Sequence, residues 1–574
     1  MYGIDTNILV YMFDAASIYQ NEAKIFIAES LKKEKIAIAE FTLFEFYSVI
    51  TDGRKVKTPL GPFEANAIIQ DFYESADFEV FSLLEEKLYN IFSYAKENNI
   101  KRNDVYDLKI AYTLKSNEIK TIYTANTKDF KRFDFLEAIN PFKQNAILHA
   151  PCPKRYIPYS RQSIDEKDVA SVCSVLRSDW LTQGPKIKEF EDAIAAYCGA
   201  KFVVAVSSGT AALHIACLAA GLGKDDTLWT SPNTFVASAN CALYCRAKPG
   251  FVDINSLTYN MDVDSLEAKL SGAAKTDSLP EIVIPVHFAG QSCEMERIYN
   301  LSKKYNFKII EDACHALGGS YKGNKIGSCR FSELTVFSFH PVKHITTGEG
   351  GSITTNNQDL YEKLLLLRTH GITKTPEKFI KKDLAFGNPD FTNSQSLAQT
   401  AGRIAPGQAE INNLQSVSPW YYQQIDLGMN YRITDIQSAL GLSQLDQLDQ
   451  FILKRRELAQ RYNTLLEGLP LTLPFQHEDT YSAFHLYVIK VNERDCNMTR
   501  EGVFKGLRDK NIGVNVHYIP VHTQPFYQQM GFHFGQFPRA EEYYQSAITL
   551  PLFPSMTHDD QDFIVNSLKE IISG

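Results

Sequence analysis

Phe337-Ser338-Phe339-His340-Pro341-Val342-Lys343, followed by Thr346-Thr347-Gly348-Glu349-Gly350-Gly351, is the stretch on which the reading of this chain turns. An apolar, strand-like run over Leu334–Phe339 leads into a lysine and then a glycine-rich turn. Most lysines are solvated surface charges. A lysine placed just after a buried strand can instead approach a carbonyl carbon closely. Desolvation lowers its pKa and makes the amine a nucleophile able to form an imine.

Three companions support the second reading. Ser207-Ser208-Gly209-Thr210 lies between a strand at Phe202–Val206 and a helix at Ala211–Ala220. Free N–H groups at a helix start suit a phosphate dianion, glycine permits close backbone approach, and Thr210 adds a hydroxyl. Ile309-Ile310-Glu311-Asp312-Ala313 reads as a buried strand ending in acids. Asp312 is placed to pair with the protonated ring nitrogen of pyridoxal phosphate and keep that ring an electron sink. Phe235 follows the turn Ser231-Pro232-Asn233-Thr234 and could stack on a flat ring, although core packing is the commoner fate of a phenylalanine.

Together these residues resemble the DegT/DnrJ/StrS-type sugar aminotransferase family. The likeness runs over about residues 155–574. It includes LTQG at 181–184, SSGTAALH at 207–214, TFVASAN at 234–240, EDACHALG at 311–318, SFHPVK at 338–343, TTGEGG at 346–351 and LRTHG at 367–371. It continues through GMNYRITDIQSALGLSQL at 428–445 and NVHYIPVHTQPFYQQMGF at 515–532. The resemblance implies an α/β fold, with a large domain of the pyridoxal-phosphate-dependent aspartate-aminotransferase type (fold type I) and a smaller C-terminal α/β domain. It implies that Lys343 carries the cofactor as an imine and that Asp312 holds the pyridinium. Ser208, Gly209, Thr210 and Ser338 would bind phosphate, Phe235 would stack on the ring and His315 would lie near its polar edge. Asn430 would reach the phosphate of a neighbouring subunit's cofactor, making the active unit a homodimer. Thr182, His517 and Tyr518 are candidates for the sugar nucleotide. In dehydratase relatives a histidine replaces the lysine, so Lys343 favours transamination. The implied reaction moves the amine of L-glutamate to the C4 ketone of a UDP-linked 4-keto-6-deoxy-N-acetylhexosamine, as in pseudaminic acid biosynthesis.

The N-terminal part reads differently. Four prolines interrupt residues 139–160, marking a join. Before it, strand-like runs at Tyr2–Val10, Lys35–Ala39 and Lys120–Thr124 alternate with helical patterns at Tyr19–Lys33, Thr42–Thr51, Glu85–Asn98 and Asp104–Lys115. That order predicts α/β with parallel strands. Asp5 ends the first strand-like run, Glu45 lies on the helix after the next strand, Asp107 opens a helix and Asp129 follows the strand at 121–124; strand ends of a parallel sheet share one edge, so these acids can converge. Any one of them alone reads as a surface acid or a helix cap. As a set they would repel unless a hard cation such as Mg²⁺ or Mn²⁺ sat between them, and such ions can drive phosphodiester cleavage. DTN at 5–7, the acid in FTLFEF, YDLKIA at 106–111 and YTANTKDF at 123–130 resemble PIN-domain ribonucleases of the toxin–antitoxin type. By that resemblance the four acids are metal ligands and RNA is the partner. Asn126 stands where many members carry a further acid.

Composition is that of an ordinary globular chain expected to be soluble. The chain has 574 residues, 44% hydrophobic and 22% charged, with a formal net charge of -8. Neither half is basic, so bulk attraction for nucleic acid or anionic membrane is excluded. The ten cysteines contain no C-x-x-C and read as reduced, mostly buried thiols of a cytoplasmic protein. No basic leader opens the chain and no apolar run of about 18 residues suggests a membrane span. The expected organisation is a PIN-like domain over 1–142, a linker over 143–156, a cofactor-binding large domain over 157–427 with an inserted loop at 373–417, and a small domain over 428–574. The competing expectation makes RNA cleavage the main activity and the second unit a scaffold. A third makes the first unit an inactive binding module.

Overall fold

The computed structural model describes residues 1–142, 156–381 and 420–573, except 15, 16, 18, 33, 57, 58, 84, 102, 103 and 497 and the side chains of 21 and 85–88. The expected linker at 143–156, but for its last residue, and all but the start of the inserted loop at 373–417 fall outside the described residues. Two compact units make up the chain, Met1–Arg155 and Tyr156–Gly574.

The first unit is built on a five-stranded sheet in the order Phe78–Phe81, Ile36–Ala39, Tyr2–Ile4, Thr121–Tyr123, Glu137–Ile139. Every pairing is parallel. Helices cover both faces, so the central strands are buried throughout and read as continuous apolar runs. One face packs Ile4, Ile8, Leu9, Leu43 and Phe46, the other Leu108, Ala111, Leu114 and Phe130. The expected strand at Tyr2–Val10 is corrected. The strand stops at Ile4, and Asp5 caps a helix over Thr6–Phe13. A short apolar run does not distinguish a strand from a buried helix, whereas Asp-Thr-Asn supplies the N-cap that settles it. Asp107 lies in the first turn of the helix Asp104–Ser116 rather than opening it. The helix Pro62–Glu74 and the edge strands Phe78–Phe81 and Glu137–Ile139 were not anticipated.

The second unit centres on a seven-stranded sheet. Its order is Phe202–Val206, Gly351–Thr355, Leu334–Ser338, Lys308–Asp312, Ile282–Ile284, Thr227–Thr230, Lys248–Phe251. Only Gly351–Thr355 runs antiparallel to its neighbours. The parallel strands therefore end on one edge, where Ser207–Thr210, Phe235, Asp312 and Ser338 gather. The expected helical stretch Thr434–Glu467 is two helices, Asp435–Leu445 and Leu448–Leu465. They lead to a three-stranded antiparallel sheet of Leu471–Thr472, Tyr487–Val491 and Ala547–Leu550, packed on the helices Arg500–Asp509 and His558–Ser573. Among the described residues the nine cysteines are free and six are buried. No helix among them is long and apolar enough to cross a membrane.

One buried ion pair anchors the strand before the Ser207–Thr210 turn. Arg368 donates to Glu191 at 2.6 Å and to the Ala205 carbonyl at 2.8 Å, while Glu191 accepts from the Ala205 N–H at 2.9 Å. Removing the cation leaves a buried carboxylate with no opposite charge. We expect Arg368→Ala to cost about 3–5 kcal/mol in urea unfolding. A loss well under 1 kcal/mol would contradict this account of the anchor.

Candidate active site

A cavity of about 560 Å³ opens at the strand ends of the second unit. Its wall contains Ser208, Gly209, Thr210, Phe235, Asp312, His315, Ser338, Lys343, His517 and Tyr518. These ten candidates were drawn from five separate stretches of sequence, and the fold brings them to one place.

Ser208 caps the helix Gly209–Ala219 by accepting from the Ala211 N–H at 3.1 Å. The N–H groups of Gly209 and Thr210 remain outside the helix ladder, as the first groups of any helix do. The helix is thus ready for an anion at its positive end. A Cβ on Gly209 would stand 2.9 Å from Ser338 Cβ, so glycine is what lets the two strand ends close together.

Asp312 ends its strand with both carboxylate oxygens engaged. Oδ2 accepts from the Ser238 hydroxyl at 2.6 Å and Oδ1 from the Cys314 N–H at 3.1 Å. Behind it, Glu311 accepts from His287 Nε2 at 2.7 Å, Ser332 at 2.5 Å and Thr335 at 3.1 Å. The strand end is fixed before any ligand arrives. Ser238 and Cys314 were missed by the sequence reading, although both lie inside motifs it quoted. Only the bonded geometry distinguishes them from ordinary core residues.

Lys343 sits in a loop closed at its base by Phe339 and Gly350, the Phe339 N–H donating to the Gly350 carbonyl at 2.8 Å. Burial holds its ammonium below the usual lysine range, with Cys314 and Asp312 pulling the other way. The neighbouring imidazoles are held uncharged. Burial pushes His315, His344 and His485 well below the usual range, and His517 down to about 3, with the charge of Lys343 adding to each. His315 Nε2 lies 3.1 Å from the Tyr518 hydroxyl, and its Nδ1 is buried without a partner. His517 Nδ1 pairs with Thr549 at 2.8 Å. An anion cradle, a fixed carboxylate and a buried amine in one cavity fit pyridoxal phosphate.

Two candidates lie elsewhere. Thr182 and Asn430 are exposed and outside the cavity wall. Tyr159 and Asn515 line the wall and were not foreseen.

In the first unit Asp5, Glu45, Asp107 and Asp129 line a second pocket of about 370 Å³ with Asn126 and Lys55. Asp5 accepts from the Thr6 N–H at 2.7 Å, the Thr124 hydroxyl at 2.7 Å and the Asn7 amide. Thr6 donates to Glu45 at 2.8 Å, and Asn126 to Asp129. Burial pushes Asp5 up to about 6. Burial and the charges of Asp5, Asp129 and Glu45 push Asp107 up to about 7. As the side chains stand, no three His, Cys, Asp or Glu among the described residues are grouped to hold a metal ion.

Comparison with known proteins finds a family match for each unit. Residues 162–569 match the DegT/DnrJ/EryC1/StrS aminotransferase family and residues 2–136 match the PIN domain. The spore coat polysaccharide biosynthesis protein SpsC of Bacillus subtilis is 38% identical over 422 residues, 73% of this chain and 98% of that protein. The UDP-4-amino-4,6-dideoxy-N-acetyl-beta-L-altrosamine transaminase of Campylobacter jejuni is 36% identical over 420 residues, 72% of this chain and 97% of that one. Among solved structures, Helicobacter pylori PseC, an aminotransferase of pseudoaminic acid biosynthesis, superposes with a TM-score of 0.61 at 28% identity, covering 73% of this chain and 100% of its own. A sugar aminotransferase from Streptococcus pneumoniae in its PLP-form gives 0.60 at 27%, covering 73% and 99%.

The first-unit acids generate a stability test. A carboxyl whose folded pKa is raised to about 7 binds its proton more tightly folded than unfolded. Its burden on stability therefore appears as pH rises from about 4 through 7. We expect Asp107→Asn to raise the first unit's melting temperature at pH 8 by on the order of 2–5 °C, with little change at pH 4. Equal shifts at both values would contradict the raised pKa.

Proposed function

The chain belongs to the DegT/DnrJ/EryC1/StrS aminotransferase family, and on that footing we propose that it moves an amino group from L-glutamate to the C4 ketone of a UDP-linked 4-keto-6-deoxy-N-acetylhexosamine, in nucleotide-sugar biosynthesis of the pseudaminic acid type. One observation carries the reaction class: Lys343, Asp312 and the Ser208–Thr210 turn share one cavity wall. The likeness to the Campylobacter jejuni transaminase and to PseC supports the sugar.

When bound, pyridoxal phosphate supplies an electron sink conjugated to a carbonyl. The N–H groups of Gly209 and Thr210, with the hydroxyls of Ser208, Thr210 and Ser338, would hold its phosphate. Asp312 would keep a proton on the ring nitrogen, and the Ser238 hydroxyl holds that carboxylate in place. Phe235 would cover one ring face and His315 would lie at its polar edge. Lys343 Nζ, whose hold on its proton burial weakens, takes a proton from the α-carbon of the donor. It later delivers one to the sugar carbon that receives the amine. Uncharged His315 and His517 leave the cavity free of competing cations beside that amine. His517 and Tyr518 would contact the sugar nucleotide from the wall, and Thr182 from outside it. Asn430, exposed on its own subunit, would complete the phosphate site of a second copy, so we propose a cytoplasmic homodimer.

A second reading rests on the acid pocket. The PIN match and four acids facing one pocket support Mg²⁺- or Mn²⁺-dependent RNA cleavage by the first unit.

Purified protein with pyridoxal phosphate should absorb near the visible edge, and Lys343→Ala should abolish both that band and at least about 10³-fold of turnover. Normal turnover by the variant would overturn the assignment. A panel of UDP- and GDP-linked 4-keto sugars with L-glutamate tests the substrate, and amination of GDP-sugars alone would reject it. For the second reading, RNA cleavage should require added Mn²⁺ and vanish in Asp5→Ala. A wild-type protein that cleaves no RNA with Mn²⁺ ends that reading.

A further inference from the structure

Beside the acid pocket lies an aromatic surface that neither reading uses. The helices Glu40–Ile50 and Asp104–Ser116 each send one acid into the pocket, Glu45 and Asp107. The same helices carry Phe41 and Phe44, and Tyr106 and Lys109. Phe41 stacks on Tyr106 with ring centroids 5.5 Å apart at 21°, and lies 6.5 Å from Phe44. Lys109 Nζ stands 4.6 Å from the Phe41 ring centre. Phe41 is half-buried beneath its neighbours, whereas Phe44 is 67% and Tyr106 50% exposed. Lys109 makes no ion pair with a carboxylate among the described residues.

We propose that Phe44 and Tyr106 form a stacking platform for unpaired bases of single-stranded RNA, with Phe41 as its buttress and Lys109 taking an adjacent phosphate. The proposal deepens the nuclease reading and rests on it for the choice of RNA. Aromatic faces bind any base through its π-face, and interleaved cations track the backbone. Rings borne on helices reach only bases that are splayed out, so a duplex is excluded. The unpaired ammonium favours a polyanion over an apolar protein partner. Acids border this surface, so Lys109 marks where a phosphate can lie. Lys55, on the pocket wall, is placed for the next phosphate.

The test uses the full chain and a short fluorescein-labelled oligouridylate in EDTA, so that binding is read by anisotropy without cleavage. Phe44→Ala and Tyr106→Ala should each weaken binding about tenfold, and Tyr106→Phe should not. Lys109→Gln should reduce the slope of log affinity against log salt by about 0.7. The matching RNA duplex should bind at least tenfold more weakly. The platform is rejected if wild type does not bind the single strand, if it binds duplex equally well, or if both alanine variants bind normally. A change of oligomeric size in those variants with RNA binding intact also rejects it and assigns the surface to a protein contact. Failure of the nuclease reading is separate: single-strand binding that depends on Tyr106, with no Mn²⁺-dependent cleavage, keeps the platform and removes the catalysis.

Discussion

The second unit depends on the hydrogen bond from Ser238 to Asp312. A carboxylate at the end of a buried strand is costly unless its oxygens are satisfied. Here one oxygen takes the Ser238 hydroxyl and the other the Cys314 N–H. The backbone of Asp312 is tied as well, its N–H to Pro285 and its carbonyl to His287, each at 3.0 Å. Glu311, its neighbour, is held from three sides. The sheet therefore presents a negative charge in a fixed place, and the chemistry of Lys343 is arranged around it. Lowering the dielectric near an amine favours its uncharged form, and the same burial removes charge from four imidazoles nearby.

The first unit treats acids in the opposite way. Asp5 and Asp107 face Glu45 and Asp129 across one pocket with Lys55 as the cation on its wall. Their mutual repulsion and their burial raise their affinity for protons. One chain thus carries two answers to the cost of a buried carboxylate. One, at Asp312, is a pair of hydrogen bonds from neutral donors, and the other, at Asp107, is a raised affinity for the proton.

Much of this was legible in the sequence, for reasons that differ by site. Lys343, Asp312 and the Ser208–Thr210 turn each sit at a strand end next to residues of strong local signature: glycine, a run of β-branched residues, a cap. Their resemblance to a known family joined them into one expected site, and strand ends that share one edge of the sheet are what let them meet. Ser238 and Cys314 carried no such signature. Their role depends on which atom lies across from them, and only packing decides that. The strand expected at Tyr2–Val10 failed because its apolar run serves two elements, and the Asp5 cap that divides them was read first as a metal ligand. The edge strands of the first unit escaped notice because an edge is only half buried and shows no continuous apolar run.

The reversed strand Gly351–Thr355 has a thermodynamic consequence. It returns the chain from the Lys343 loop to Ser208 so closely that a Cβ on Gly351 would stand 2.6 Å from the Ser208 carbonyl. Both ends of the loop are thereby pinned to the anion cradle by the sheet itself. The ordering entropy of that segment is spent during folding and not when a small molecule arrives. An occupant of the cavity is therefore spared the cost of ordering that loop. That saving comes from a strand that runs against both of its neighbours.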